Sequence, residues 1–132
     1  MRKLSVLAAF VLVISGIVGG AGVASAADPT YHTWAYDVAA RAGGELNWDV
    51  CTKFPSTTNC NWVEERVNPN WPLVVHCQKA GQNINGNPNW LFVDVHVPAG
   101  AYANQAWVAS YYIDYPGNVL PVRWCGPNDG WI

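Results

Sequence analysis

Basic residues are scarce in this chain. After Arg2 and Lys3 only Arg41, Lys53, Arg66, Lys79 and Arg123 remain, against nine Asp and Glu residues, so the portion from residue 27 onward has a net charge of −4. No Lys/Arg cluster is present, and binding to a phosphate backbone needs one, which excludes nucleic acid as a partner. No C-x-x-C occurs among Cys51, Cys60, Cys77 and Cys125, which argues against a zinc site and a thioredoxin-type redox centre. Beyond the N-terminal leader the serines are Ser56 and Ser110; neither lies in a G-x-S-x-G elbow, so nucleophilic hydrolysis has no support. No window sustains a 3.6-residue apolar stripe for three turns. "YDVAARAG" comes nearest to a helix, and Gly43 and Gly44 stop it early.

What is present begins with a leader. Arg2 and Lys3 precede an apolar run from Leu4 to Val18, followed by Gly19, Gly20, Gly22 and the small residues Ala24 and Ala26. This pattern predicts a signal peptide over 1–26, cleaved after Ala26, and a secreted domain over 27–132 that is not held in a membrane after cleavage. That length suits one domain, read as a monomer. Four cysteines in an oxidising compartment imply two disulfides and no free thiol, with three connectivities possible.

Turn signals recur at "AGG" (42–44), "FPSTTN" (54–59), "NPNWP" (68–72), "GQNINGNPN" (81–89), "PAG" (98–100), "YPGN" (115–118) and "GPNDG" (126–130). Between them lie short runs rich in Val, Trp, Tyr and Phe, the composition of strands. The expected strands are 33–41, 46–51, 62–67, 73–79, 90–97, 107–113 and 119–124. In the fourth, alternation puts Leu73, Val75 and Cys77 on a buried face and Val74, His76 and Gln78 on the other. Many short strands with closely spaced turns indicate an all-β sandwich or small barrel.

Candidate chemistry is thin. Asp94 and His96 share a face of one strand and suit a metal or a base with its orienter, but a metal needs three or four ligands, and solvated polar residues opposite Val93, Val95 and Val97 are the plainer reading. Glu64 and Glu65 are adjacent, so on a strand they face opposite ways and cannot flank one bond. No metal, cofactor or catalytic residue is expected. The aromatic complement is large: eight Trp and six Tyr, more than a core of this size hides.

Several segments resemble one family. "HTWAYDVAARAGG" is similar to the opening strand of small secreted bacterial SH3-like domains of the actinobacterial type. "PLVVHCQKAGQNINGNPNW" is similar to their central V-x-V-x-C-Q-x-x-G-x-x-V-x-G signature with its following Trp. "QAWVASYYID" resembles G-W-V-S-x-x-Y-V, and "NVLPVRWC" the tail ending in P-x-C. The four pieces run in order from Thr33 to Cys125. The resemblance implies an SH3-like β-barrel with Cys77 bridged to Cys125, leaving Cys51 for Cys60; the latter two bracket a Pro/Ser/Thr/Asn turn, as a local closure does. Departures are the missing G-P after the first strand, Ala106 in place of Gly, and a longer first loop.

The resemblance further implies a module that binds and does not catalyse. Its expected ligand is cell-envelope material, a peptidoglycan peptide or glycan; the other reading is a secreted protein partner, as for an inhibitor or competition factor. The long first loop carries Trp48 and Trp62 where SH3-like barrels place a groove-flanking loop. Trp71 sits between prolines in a turn, where an indole is hard to bury, and one of Tyr111 and Tyr112 should face outward. Trp48, Trp62, Trp71 and Tyr111 are thus the expected ligand-binding aromatics; the competing reading folds them into a satellite core.

Overall fold

A computed structural model describes residues 27–100 and 103–130. The expected signal peptide lies outside the described residues. The elements are β1 (Thr30–Tyr31), β2 (Val38–Ala42), α1 (Trp48–Lys53), β3 (Trp62–Val67), β4 (Leu73–Ile84), β5 (Asn87–His96) and β6 (Ala103–Ala109), with a 3-10 turn at Ser110–Tyr112. One antiparallel sheet contains all six strands in the order β1-β4-β5-β6-β2-β3. It curls into a half-barrel, and the two disulfides are Cys51–Cys60 and Cys77–Cys125. The expected all-β class and both bridges are therefore present. Two disulfides mark a protein of an oxidising, non-cytoplasmic compartment, and no helix among the described residues is long and apolar enough to cross a membrane.

The central hairpin dictates the rest. Asn85 and Gly86 both have left-handed backbones (φ 49° and 92°), the Asn-Gly turn whose twist matches that of the flanking strands. With the turn reduced to two residues, β4 and β5 extend well into the stretch read from sequence as a long loop. Alternation on β5 then divides the core between two faces. Leu91, Val93 and Val95 join Val38, Ala40, Val67, Leu73, Val75, Ala106 and Val108 in an aliphatic cluster. Trp90 and Phe92 join Trp107, Ala109 and three cysteines, Cys51, Cys60 and Cys77, on the other face.

A bulge overturns part of the sequence reading of β4. The pairing slips between Val75, opposite Val93, and Cys77, opposite Phe92. One extra residue at His76 reverses the faces beyond it. Cys77 thus joins the indole face instead of sharing one with Leu73 and Val75, and Gln78, expected to face outward, is 1% exposed. Its amide is fully used: Nε2 donates to the Leu120 and Val122 carbonyls at 2.8 and 2.7 Å, and Oε1 accepts from Asn89 Nδ2 at 2.7 Å and Leu120 N–H at 3.1 Å. Gln78 N–H also donates to the Arg123 carbonyl, and its own carbonyl accepts from Cys125 N–H. The C-terminal segment is therefore tied down by one side chain and a disulfide. The expected strand over 119–124 does not form; a single parallel bridge joins Trp124 to Gln78.

Other expected strands also change. The run 33–41 is interrupted because Asp37 has a left-handed backbone (φ 60°), so β2 starts at Val38. The run 107–113 leaves the sheet at Ala109 and tightens into the 3-10 turn. Leu46–Cys51 is not a strand: Trp48 N–H donates to the Gly44 carbonyl and Cys51 N–H to that of Asn47, which starts α1. The helix lies so close to β2 that a Cβ on Gly43 would come within 2.4 Å of Trp48 Cα. Asn59 Nδ2 donates to the Phe54 carbonyl at 2.9 Å, which, with Cys51–Cys60, closes this segment over the indole face.

Candidate functional site

Between β2 and β6 the sheet is thinly paired: among the described residues Arg41 with Trp107 is the one register pair. β2 carries an irregularity between Ala40 and Arg41, and such a bulge adds twist. Toward Val38 the strand leaves β6, which ends at Ala109. The opening is a groove of about 250 Å³, bounded by Tyr36, Asp37, Arg41, Arg66, Trp90 and Tyr112 among others.

Its lining sets Tyr36, Trp90 and Tyr112 beside aliphatic side chains, and its charged groups are Arg41, Arg66 and Asp37. Tyr36 is 77% exposed and Trp34 52%. Trp34 meets Tyr111 edge-on (centroids 5.6 Å apart) and Tyr112 at 6.0 Å, and the two tyrosines stand edge-on at 5.1 Å. Trp34 Nε1 donates to the Tyr111 carbonyl at 2.8 Å, and Trp34 N–H to that of Tyr112 at 2.9 Å. These bonds fix a rigid ridge, whose Tyr112 also lines the groove. Arg41 Nη1 donates to the Cys60 carbonyl at 3.2 Å, and Arg66 Nη1 reaches the Asp37 carbonyl only at 3.5 Å. Burial lowers the Arg41 pKa below its ordinary value, and the charge of Arg66 adds to that.

A second polar cluster lies over the Cys77–Cys125 side. The bulged His76 stands between two carboxylates, with Nδ1 2.7 Å from Asp28 and Nε2 2.9 Å from Asp94. The Asp94 contact is close yet poorly aligned for hydrogen bonding, so it acts mainly as an ion pair. Burial opposes the charge on His76, but the two carboxylates together outweigh it and raise its pKa. Nearby, Arg123 grips Asp129 with two bonds of 2.8 Å. Chiefly through Arg123, and also through Gly126 N–H, the Asp129 pKa is lowered to about 2. Asp94, read from sequence as solvated beside His96, is instead half-buried and paired across strands with His76; His96 is exposed. No trio of His, Cys, Asp or Glu among the described residues suits a metal.

The four aromatics expected from sequence sit on different elements, Trp48 and Trp62 near the Ala42–Gly43 end of β2. Trp48 is on α1 and 44% exposed; Trp62 opens β3 and is 60% exposed. Trp71 lies in the turn beyond the other end of β3 and packs against the aliphatic core. At about 3.3 Å per residue, β3 alone separates Trp62 from the Trp71 end by roughly 17 Å. Trp62, Trp71 and Tyr111 make no ring contact with one another, and of the four only Tyr111 belongs to the ridge. Trp34, Tyr36, Arg41 and Arg66 were not singled out from sequence. The available signal is "TWAYD", which puts Trp34 and Tyr36 two apart shortly before Arg41.

No protein-family model, no curated protein and no solved structure matches this chain.

Proposed function

We propose that this protein is a secreted, SH3-like binding module that recognises cell-envelope material, a peptidoglycan peptide or glycan, and does not catalyse. The observation that carries the reading is the ridge of Trp34, Tyr111 and Tyr112 with the exposed Tyr36 at the lip of a groove. Rigid aromatic rings with polar edges offer stacking area at little entropic cost. The groove brings no histidine beside a hydroxyl, and His76 is engaged by two carboxylates elsewhere. Retention on purified cell wall tests the reading. The protein should stay bound in moderate salt, because a net acidic domain gains little there from long-range charge; Tyr36→Ala should release it without lowering its melting temperature, and Trp34→Ala should release it while also losing the stability of its ridge contacts. Retention of both variants at the wild-type level would sink the reading.

A second reading, a secreted protein partner, is favoured by a different surface. Leu46, Val50 and Phe54, four apart over the segment that contains and flanks α1, are 95%, 42% and 50% exposed, apolar surface of the kind protein interfaces cover. Capture of a secreted protein abolished by Val50→Asp and untouched by Tyr36→Ala would favour it.

A further inference from the structure

The groove holds a charge arrangement that binding to an aromatic face does not require. Among the basic residues beyond the leader, Lys53 pairs with Asp49 and Arg123 with Asp129, and Lys79 donates to the Thr52 carbonyl. Arg41 and Arg66 pair with no carboxylate among the described residues, although nine acids are available to five bases. Both line one groove against Trp90 and Tyr112. The carboxylate of Asp37 shares that lining but forms an ion pair with neither guanidinium, so two like charges beside apolar walls remain costly until a further anion joins them. Each guanidinium spends one N–H on a backbone carbonyl and keeps the rest of its fork for an oxyanion.

We propose that this groove is a carboxylate-reading subsite for the C-terminal end of a peptide, with Arg41 and Arg66 holding the terminal carboxylate and Tyr36 and Tyr112 flanking the last side chain. The inference rests on the aromatic face being a binding face, and narrows its ligand to peptide. At about 250 Å³ the groove is smaller than sites that enclose a whole drug-sized ligand, roughly 300 Å³ and upward, so it suits a chain end. Asp37 lines the same groove. Its carboxylate repels a phosphate dianion more than a singly charged carboxylate. The left-handed backbone of Asp37 is a conformation that non-glycine residues adopt at some cost, a feature concentrated at ligand clamps.

An NMR titration with three probes tests this: acetyl-alanyl-alanine with a free carboxylate, the same peptide as its C-terminal amide, and inorganic phosphate. The free acid should shift the amides of Asp37, Arg41 and Arg66 saturably, and the amidated peptide should bind at least about tenfold more weakly, as loss of a charge-assisted contact implies. Arg66→Gln, at an exposed position, should fold normally and weaken the free acid about tenfold while leaving the amidated peptide unaffected; Arg41→Lys, which keeps charge and loses the fork, should also weaken it. Equal binding of acid and amide, tighter binding of phosphate than of the acid, no saturable shift, or an unaffected Arg66→Gln would each overturn the proposal. Wall retention separates the two readings: wild type held on the wall without peptide binding removes the subsite alone, and peptide binding without wall retention removes the envelope reading alone.

Discussion

The two polar clusters of this domain treat charge in opposite ways. Around His76 and Arg123 each charge meets its opposite: Asp28 and Asp94 flank the imidazole, and Asp129 takes both arms of the guanidinium. In the groove between β2 and β6, two guanidinium groups share a space and neither has a carboxylate partner among the described residues. The paired cluster joins segments far apart in sequence, Asp28 to β4 and β5, beside the bridge that holds the C-terminal tail. The unpaired one sits where the sheet parts beside an exposed aromatic ridge. Satisfied charges hold a fold together; unsatisfied ones placed together by the fold are available for a ligand.

The largest effect should come from breaking the bridge on the paired side. Replacing Cys77 and Cys125 by serine frees a chain separation of 48 residues, against 9 for Cys51 and Cys60. Chain-entropy reasoning gives about 4 kcal/mol for the first and about 3 kcal/mol for the second, readable as the difference in urea unfolding free energy. Next comes a pair of variants that should separate the clusters. Arg66→Gln should reduce retention on envelope material about tenfold and change stability by less than about 0.5 kcal/mol. Asp94→Asn should do the reverse, costing about 1 kcal/mol of stability with retention unchanged. If Asp94→Asn weakened binding instead, the division of roles would be wrong.

The pH profile sharpens the same contrast. Because the folded His76 pKa is raised, its contribution is fully present below the unfolded value near 6.5 and is lost as pH rises through the folded pKa. Asp129, with a pKa lowered to about 2, contributes above the unfolded value near 3.9 and loses that contribution as pH falls through about 2. Unfolding free energy should therefore decline on the alkaline side of 6.5, and Asp94→Asn should flatten that decline. Binding in the groove should stay flat across the same alkaline range, since guanidinium groups remain charged there. The smallest effect is expected at Trp62, exposed at the edge of the sheet: Trp62→Ala should stay within about 0.5 kcal/mol of wild type in both stability and retention.

Particular residues explain why the sheet was legible in the sequence and the groove was not. Trp62–Val67 is a strand over the same residues as expected, and Leu73–Lys79 and much of Trp90–Val97 fall inside β4 and β5, because alternation is a local property. The bulge at His76 is one residue long and leaves no trace in composition, yet it sends Cys77 and Gln78 to opposite cores. The helix Trp48–Lys53 leaves no periodic signal because its six residues are too few for an apolar stripe, and it forms beside Gly43 and the Cys51–Cys60 closure, both tertiary circumstances. The expected binding aromatics were chosen from turns and loop length, which indicate exposure and say nothing about convergence. Arg41 and Arg66 lie 25 positions apart in sequence, and only the β2–β3 pairing brings them together.

The most direct test of the division between the clusters is a map of backbone amide shifts on adding solubilised cell-wall fragments to the labelled protein. The account predicts perturbations confined to Trp34–Arg41, Thr57, Arg66, Ile84, Trp90 and Ala109–Tyr112, with His76, Asp94 and the segment Arg123–Asp129 silent. Shifts centred on His76 and Arg123, or on the exposed Leu46, Val50 and Phe54, with the groove unperturbed, would contradict it.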